Sequence, residues 1–215
     1  MNRRLRETLE KLSSCGLIEG FYLTGGTALA LQYEHRISED LDFFCLPELS
    51  EERFPYHRLI SGLARIGKVV DQSRGTVVAV VDGIVVSFFS YPYPLLEPFT
   101  LLEVALSVPK VAVASDKDIA CSKAVAIAQR GLKKDFFDLH FLLCKNSWNL
   151  KELIDFCCEK YGFDRNYIAF LVKSLTYFED AENDLVYIRE GVALPEADWD
   201  RIKAFFLEQV RLMYL

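Results

Sequence analysis

Gly25-Gly26-Thr27 is followed after twelve residues by Asp40-Leu41-Asp42, a pairing of residue types that suits phosphate and metal chemistry. Two glycines let the backbone turn and approach a ligand without a Cβ penalty. Ala28-Leu29-Ala30-Leu31 reads as the start of a helix that Thr27 could cap, and unpaired amides at such a helix start attract phosphate. Asp40 and Asp42 lie two apart in a predicted strand, so both carboxylates leave one face, roughly 6–7 Å apart along the backbone. Two like charges among Leu41, Phe43 and Phe44 are costly unless a cation compensates them. Hard oxygen donors favour Mg2+ or Mn2+, and two-metal phosphoryl chemistry uses such carboxylates to hold cations about 4 Å apart. A Gly-Gly-Thr alone is more often an ordinary strand-to-helix turn; its coupling to the aspartates favours chemistry.

A second constellation lies further along. Lys123 and Arg130 are seven apart, two helical turns, so they share a face, as do Asp135 and Asp138, three apart. Lys123 and Arg130 could hold a triphosphate or an RNA backbone, while Asp138 could orient Lys123 or accept a proton. The competing reading is a salt-bridged helix surface.

The elements that must position these residues follow from periodicity and turn chemistry. Residues 3–15 predict a helix, 21–23 a strand running into the glycines, and the glycine turn opens a helix reaching Tyr33. After His35-Arg36 comes the strand with Asp40 and Asp42, then an amphipathic stretch over 51–66 with Pro55 near its first turn. Residues 68–71, 76–81 and 84–89 are β-branched, the last two meeting at Asp82-Gly83 as a hairpin. Tyr91-Pro92-Tyr93-Pro94 stops the sheet, and 104–114 could add short strands. Beyond Ser115 the pattern is helical over 116–129, 133–144, 150–161, 164–178 and 197–212, with Asp198 and Trp199 at the start of the last helix. The expected organisation is an α/β (α+β) lobe over 1–114 and a helical lobe over 115–215.

The 215 residues suffice for one large domain or two small lobes, and 25 basic against 31 acidic residues, net −6, argue against coating nucleic acid by bulk charge. Six cysteines without a Cys-x-x-Cys pair read as buried free thiols in a reducing cytosol, and three histidines make a His/Cys zinc site improbable. The start of the chain is charged, without the apolar core of a signal peptide, and no stretch has the length of a membrane span. A cytoplasmic protein is expected.

The stretch from Tyr22 to Leu29, then from His35 to Phe44, resembles the first motif of the AbiEii-type toxin nucleotidyltransferases, within the DNA polymerase β-like superfamily. Lys123, Arg130 and Lys134-Asp135-Phe136-Phe137-Asp138-Leu139 resemble that family's later lysine and aspartate motifs. The resemblance implies a polymerase β-like lobe with a mixed sheet. It further implies that Gly25, Gly26 and Thr27 contact nucleotide phosphates, that Asp40 and Asp42 bind magnesium, that Ser38 supports the triphosphate with Arg36 nearby, and that Lys123 and Asp138 are needed for activity. Such enzymes transfer a nucleoside monophosphate from a nucleoside triphosphate to an acceptor, RNA (transfer RNA for some toxins) or protein, and many are paired with a neighbouring antitoxin. The alternative is a nucleotide- or partner-binding module with little transfer activity.

One departure supports that alternative. The family's third carboxylate would fall in Val85-Val86-Ser87-Phe88-Phe89, where this chain offers Ser87. Asp138 or another acid would have to replace it. Transfer of a γ-phosphate is disfavoured because no Walker-type lysine follows the glycines. Phe43, Phe44, Phe88, Phe89, Tyr91 and Tyr93 could stack bases, although alternating aromatics in strands are more often core; Tyr91 and Tyr93 are the better candidates. His35 is expected in a solvent-exposed turn and His140 away from Asp138 on its helix.

Overall fold

The computed structural model describes residues 3–49, 53–103 and 109–214, which fall into two compact units. The first comprises Met1–Gln32 and Ser38–Ser115; the second comprises Tyr33–Ile37 and Asp116–Leu215. The five residues Tyr33–Ile37 thus belong with the second unit although sequence places them inside the first.

In the first unit the order is α1 (Arg3–Ser14), β1 (Phe21–Thr24), α2 (Gly25–Tyr33), β2 (Leu41–Cys45), α3 (Tyr56–Ile66), β3 (Lys68–Ser73), β4 (Thr76–Val81), β5 (Ile84–Phe89), β6 (Thr100–Leu102) and β7 (Val111–Val113). The strands form one mixed sheet, ordered β3-β4-β5-β2-β1-β7-β6, with β1 parallel to β7 and β2 parallel to β5. Period-2 alternation divides this sheet into two different faces. Phe21, Leu23, Leu41, Phe43, Cys45, Val77, Ala79, Val86 and Phe88 all point to one face and are buried, with Phe43 stacked on Phe88 at 5.2 Å between ring centroids. Burying these side chains, each worth roughly 1.5–3 kcal/mol for the larger ones, fixes the strand register, because a one-residue slip would put Asp42 into this core. The opposite face carries Tyr22, Thr24, Asp42, Phe44, Ser87 and Phe89.

Local chemistry accounts for the connections. Asp82 and Gly83 both have positive φ, +52° and +84°, the geometry of the tight hairpin turn that joins β4 to β5. Helix α3 begins only after Pro55, whose fixed φ suits an entry and not an interior. Residues 51–52 of the expected 51–66 stretch, and 104–108 of the expected 104–114 strands, lie outside the described residues. β6 was not expected; its three residues are too few to show a period.

In the second unit α4 (Asp116–Gln129), α5 (Lys133–Asn146), α6 (Leu150–Tyr161) and α7 (Arg165–Ser174) are followed by a short 3-10 turn (Glu179–Ala181), a hairpin of β8 (Tyr187–Arg189) and β9 (Val192–Ala193), and α8 (Glu196–Leu212). Asn149 and Glu152 form a capping box at the start of α6, and Gly162, in the left-handed region, ends it. Phe136, Trp199 and Phe206 form the aromatic centre of the unit, with rings 5.5–5.8 Å apart about Phe136. The β8–β9 hairpin breaks the expected all-helical pattern, and the amide of Ile37 donates to the carbonyl of Tyr187 at 2.8 Å, tying 33–37 to it. All six cysteines are free; Cys15 and Cys144 are exposed, against the expectation that all are buried. No helix among the described residues is long and apolar enough to cross a membrane.

Candidate active site

The first unit places the glycine turn against the aspartate strand. Gly25 joins β1 to α2 with φ +70°, a conformation that costs an L-residue but not glycine. A Cβ at Gly25 would sit 3.6 Å from Oδ2 of Asp42, so the bare backbone lines the space beside that carboxylate. Thr24 pairs with Asp42 across β1 and β2, and Asp42 pairs with Ser87 across β2 and β5, so the three side chains form a row on the face opposite the Phe43 core, where Thr24 and Ser87 are buried. Asp40 is exposed just before β2 begins.

Thr27 does not cap α2. The helix already begins at Gly25, two residues earlier, and the Thr27 side chain is buried and pointed at the loop before β2. Its hydroxyl donates to the carbonyl of Asp40 and lies 2.7 Å from Oγ of Ser38. A hydroxyl carries one proton, so Ser38 supplies the proton of the second contact. Thr27 and Ser38 therefore clamp the loop that presents Asp40, an arrangement that ties the glycine helix to the aspartate strand. Ser87 lies directly beside Asp42, where a third carboxylate would stand. Among the described residues no group of three or more His, Cys, Asp or Glu is disposed to hold a metal. The oxygen donors that are present still suit Mg2+, which keeps several waters and takes one or two carboxylates plus substrate phosphates. At Gly25 the bare backbone leaves Oδ2 of Asp42 uncovered on that side, where a Cβ would lie in contact with it at 3.6 Å.

The second unit collects the other predicted residues into a buried ion network. Oδ1 of Asp138 accepts from Nε2 of His35 at 2.7 Å and from Nε of Arg36 at 2.6 Å; Oδ2 accepts from Arg36 Nη2 at 2.7 Å and lies 2.6 Å from Nζ of Lys123. Lys123 also reaches Oδ1 of Asp135 at 2.9 Å, and Arg130 holds Asp135 through Nε and Nη2 at 2.9 and 3.1 Å. The helical spacing thus does bring both acids onto Lys123. Burial by itself raises the pKa of Asp138, but Lys123, Arg36 and His35 outweigh it and hold the carboxyl well below its usual range. At Asp135 burial is likewise outweighed by Lys123 and Arg130, and the pKa is lowered.

Four donors saturate the lone pairs of Asp138. These contacts place Asp138 at the centre of a buried ion network. Arg36 belongs to the same network. Its Nε and Nη2 serve Asp138 and its Nη1 the carbonyl of Ile37, and the residue is buried, so these bonds anchor 33–37. Lys123 is buried as well; Arg130, whose side chain is 52% exposed, is the cation of this set open to solvent.

His35 was missed. Its side chain is 1% exposed, with ring centroids 5.8 Å from Phe137 and 4.8 Å from Phe141. The carboxylate can only accept, so Nε2 carries the proton. Nothing in the isolated sequence marked His35 as buried, since its partners lie about a hundred residues away. The buried pair of Lys160 with Asp118, at 2.6 Å, was equally invisible.

The profile of the family described as "Nucleotidyl transferase AbiEii toxin, Type IV TA system" matches residues 7–212. The chain belongs to this family. An AbiEii assignment makes it a nucleotidyltransferase and agrees with the resemblance carried by the glycine, aspartate and lysine motifs. An uncharacterised protein of Aquifex aeolicus (strain VF5) is 45% identical over 213 residues, spanning 98% of this chain and 96% of the relative. Two solved structures share the fold. MenT4, a nucleotidyltransferase toxin of Mycobacterium tuberculosis H37Rv, aligns with a TM-score of 0.53 at 15% identity over 98% of this chain and 86% of its own. The antibiotic-resistance factor ANT(2'')-Ia aligns with a TM-score of 0.58 at 12% identity, over 79% of this chain and 96% of its own. These neighbours show that the chain, with its mixed sheet, shares the fold of solved nucleotidyltransferase structures.

Proposed function

We propose that this AbiEii-family chain transfers a nucleoside monophosphate from a nucleoside triphosphate to an acceptor hydroxyl, with Mg2+ or Mn2+ as cofactor. The observation that carries this reading is the bare Gly25 backbone beside Asp42, in a row with Thr24 and Ser87. Gly25 and Gly26 at the start of α2 offer amides to the triphosphate tail, the role helix N-termini play toward phosphate. Thr27 and Ser38 hold the Asp40 loop against that helix. Asp40 and Asp42 are the residues that would hold the cation, which when bound supplies charge neutralisation at the reacting phosphate and the leaving pyrophosphate.

In the proposed reaction the acceptor oxygen forms a bond to the α-phosphorus. The bond from that phosphorus to the oxygen bridging to the β-phosphate breaks, and pyrophosphate leaves with the electron pair. The hydroxyl proton passes to water, because Ser87 offers no base in the row beside Asp42. Within the second unit Lys123 is oriented by Asp135 and Asp138, and Arg130 presents an exposed guanidinium. The acceptor is RNA, transfer RNA included, or protein, and the family's type IV toxin-antitoxin description supports a cognate antitoxin and a cytoplasmic setting.

The test is labelled nucleoside triphosphate offered with total RNA and total protein, comparing the native chain with Asp42→Asn. Label should enter one acceptor class and vanish with the variant; undiminished labelling by Asp42→Asn would overturn the assignment. Ser87 favours a second reading, a nucleotide-binding module with little or no turnover. Calorimetric binding of the triphosphate with no pyrophosphate released on either acceptor would select it.

A further inference from the structure

The direction of the hydroxyl protons at the Asp40 loop restricts what Ser38 can bind. Thr27 spends its one proton on the carbonyl of Asp40, which can only accept. The 2.7 Å contact between Thr27 Oγ1 and Ser38 Oγ therefore takes its proton from Ser38. A serine hydroxyl has one proton and two lone pairs, so Ser38 keeps both lone pairs and has no proton left for a ligand. No other hydrogen bond of this oxygen is found among the described residues, and the residue is half-buried.

Its place in the fold is beside the carboxylates, within the first unit. Ser38 lies two residues before Asp40 and four before Asp42, and its partner Thr27 is in the first turn of α2, two residues from Gly25. Gly25 is the residue whose added Cβ would touch Oδ2 of Asp42 at 3.6 Å. Residues 25–27 thus meet the Asp42 carboxylate at one end and the Ser38 oxygen at the other. Among the described residues no third His, Cys, Asp or Glu joins Asp40 and Asp42 in a cluster, and Ser87, the neighbour of Asp42 on β5, is buried.

An oxygen that offers only lone pairs needs a donor or a cation opposite it. Ionised phosphate is neither, because its oxygens also only accept. Mg2+ and Mn2+ take hard oxygen ligands, hydroxyls included, beside one or two carboxylates. We propose that Ser38 Oγ is the third oxygen donor to the cation of Asp40 and Asp42, and that Thr27, by taking the serine proton, leaves the lone pairs for it. Ser38 then supports the triphosphate through the cation and not through a hydrogen bond of its own. A neutral donor gives the site one negative charge fewer than three acids, so the cation depends more on the phosphate oxygens that arrive with it. The proposal rests on the nucleotidyl-transfer reading, which gives the two aspartates their cation.

The test reads cation binding without turnover. Mn2+ is titrated by electron paramagnetic resonance into the full chain with a nucleoside triphosphate analogue whose α,β-bridge is methylene. Ser38→Ala should weaken Mn2+ about 10-fold and leave the affinity of the analogue in EDTA unchanged. Ser38→Cys, read as displacement of the bound Mn2+, should shift the preference from Mg2+ toward Cd2+, because a thiolate is a soft donor and the serine oxygen a hard one. A hydroxyl that only steadied the loop would not set which cation is preferred. Unchanged Mn2+ affinity in Ser38→Ala overturns the proposal, and so does a native order of preference in Ser38→Cys. An analogue weakened equally in EDTA overturns it as well, since Ser38 would then touch the nucleotide itself. Asp42→Asn separates the two readings. Mn2+ affinity lost in Asp42→Asn but kept in Ser38→Ala sinks the Ser38 role alone, whereas affinity kept in both takes the cation off this loop and the proposed reaction with it.

Discussion

Asp138→Asn should be among the most destabilising single changes in this protein, and the hydrogen-bond geometry sets the magnitude. The native carboxylate is fully buried and receives four donors from His35, Arg36 and Lys123. An asparagine fills the same space but turns one acceptor oxygen into a donor nitrogen and removes the charge. Two donors then lose their acceptor, and buried Arg36 loses its carboxylate partner while Lys123 retains Asp135. Removing one partner from a buried ion pair costs about 3–5 kcal/mol, a large share of the roughly 5–15 kcal/mol that stabilises an ordinary domain. Urea denaturation followed by tryptophan fluorescence reads this directly, because Trp148 and Trp199 both belong to the second unit and Trp199 is buried against Phe136. With a urea dependence of about 2 kcal/mol per molar, the midpoint should fall by about 2 M. Adding Lys123→Met should cost less than the two single changes predict, by about 2 kcal/mol, since the lysine has already lost one of its two carboxylates in the first step. A loss under about 1 kcal/mol for Asp138→Asn, or simple additivity in the pair, would refute the network as the source of stability.

Three further outcomes follow from the same contacts. The folded-state pKa of Asp138 lies below its ordinary 3.8, so its contribution is complete above that value and disappears as pH falls through the lower folded one; Asp135 shifts the same way, so urea midpoints should drop steeply below about pH 4, after a smaller decline below about pH 6.5 from His140, whose pKa burial lowers. Gly25→Ala should cost about 1–2 kcal/mol from the positive φ and weaken triphosphate binding in calorimetry, because its methyl would intrude beside Asp42. Thr27→Val should lose about 1–3 kcal/mol in thermal or urea unfolding by orphaning Ser38 and the Asp40 carbonyl, whereas Thr27→Ser should recover most of that.

The first unit was largely legible before folding. Its strands alternate, Asp82-Gly83 announces its hairpin, and the glycine turn with Asp40 and Asp42 is a local feature whose parts lie within eighteen residues. Short elements escaped. β6 and the β8–β9 hairpin have two or three residues per strand, too few for a period, and depend on pairing for their existence. Thr27 was misassigned for a related reason: a threonine at a helix start ordinarily caps it, but a tertiary acceptor at Asp40 captured the hydroxyl.

The sequence by itself determined the chemistry available: backbone amides at Gly25-Gly26, two carboxylates at Asp40 and Asp42, a serine where a third acid would stand, and helical spacing that lets one lysine meet two acids. Only the tertiary structure decided how those groups are used. It put Arg36 and His35 onto Asp138, across about a hundred residues of chain, and so placed that carboxylate in a buried ion network. It also put Phe44, Tyr91 and Tyr93 into one stack beside the carboxylate row. The physical reason is common to both. Spacing along a helix or strand fixes which side chains share a face, but a group's protonation and its available lone pairs depend on the charges and donors that long-range packing brings to it.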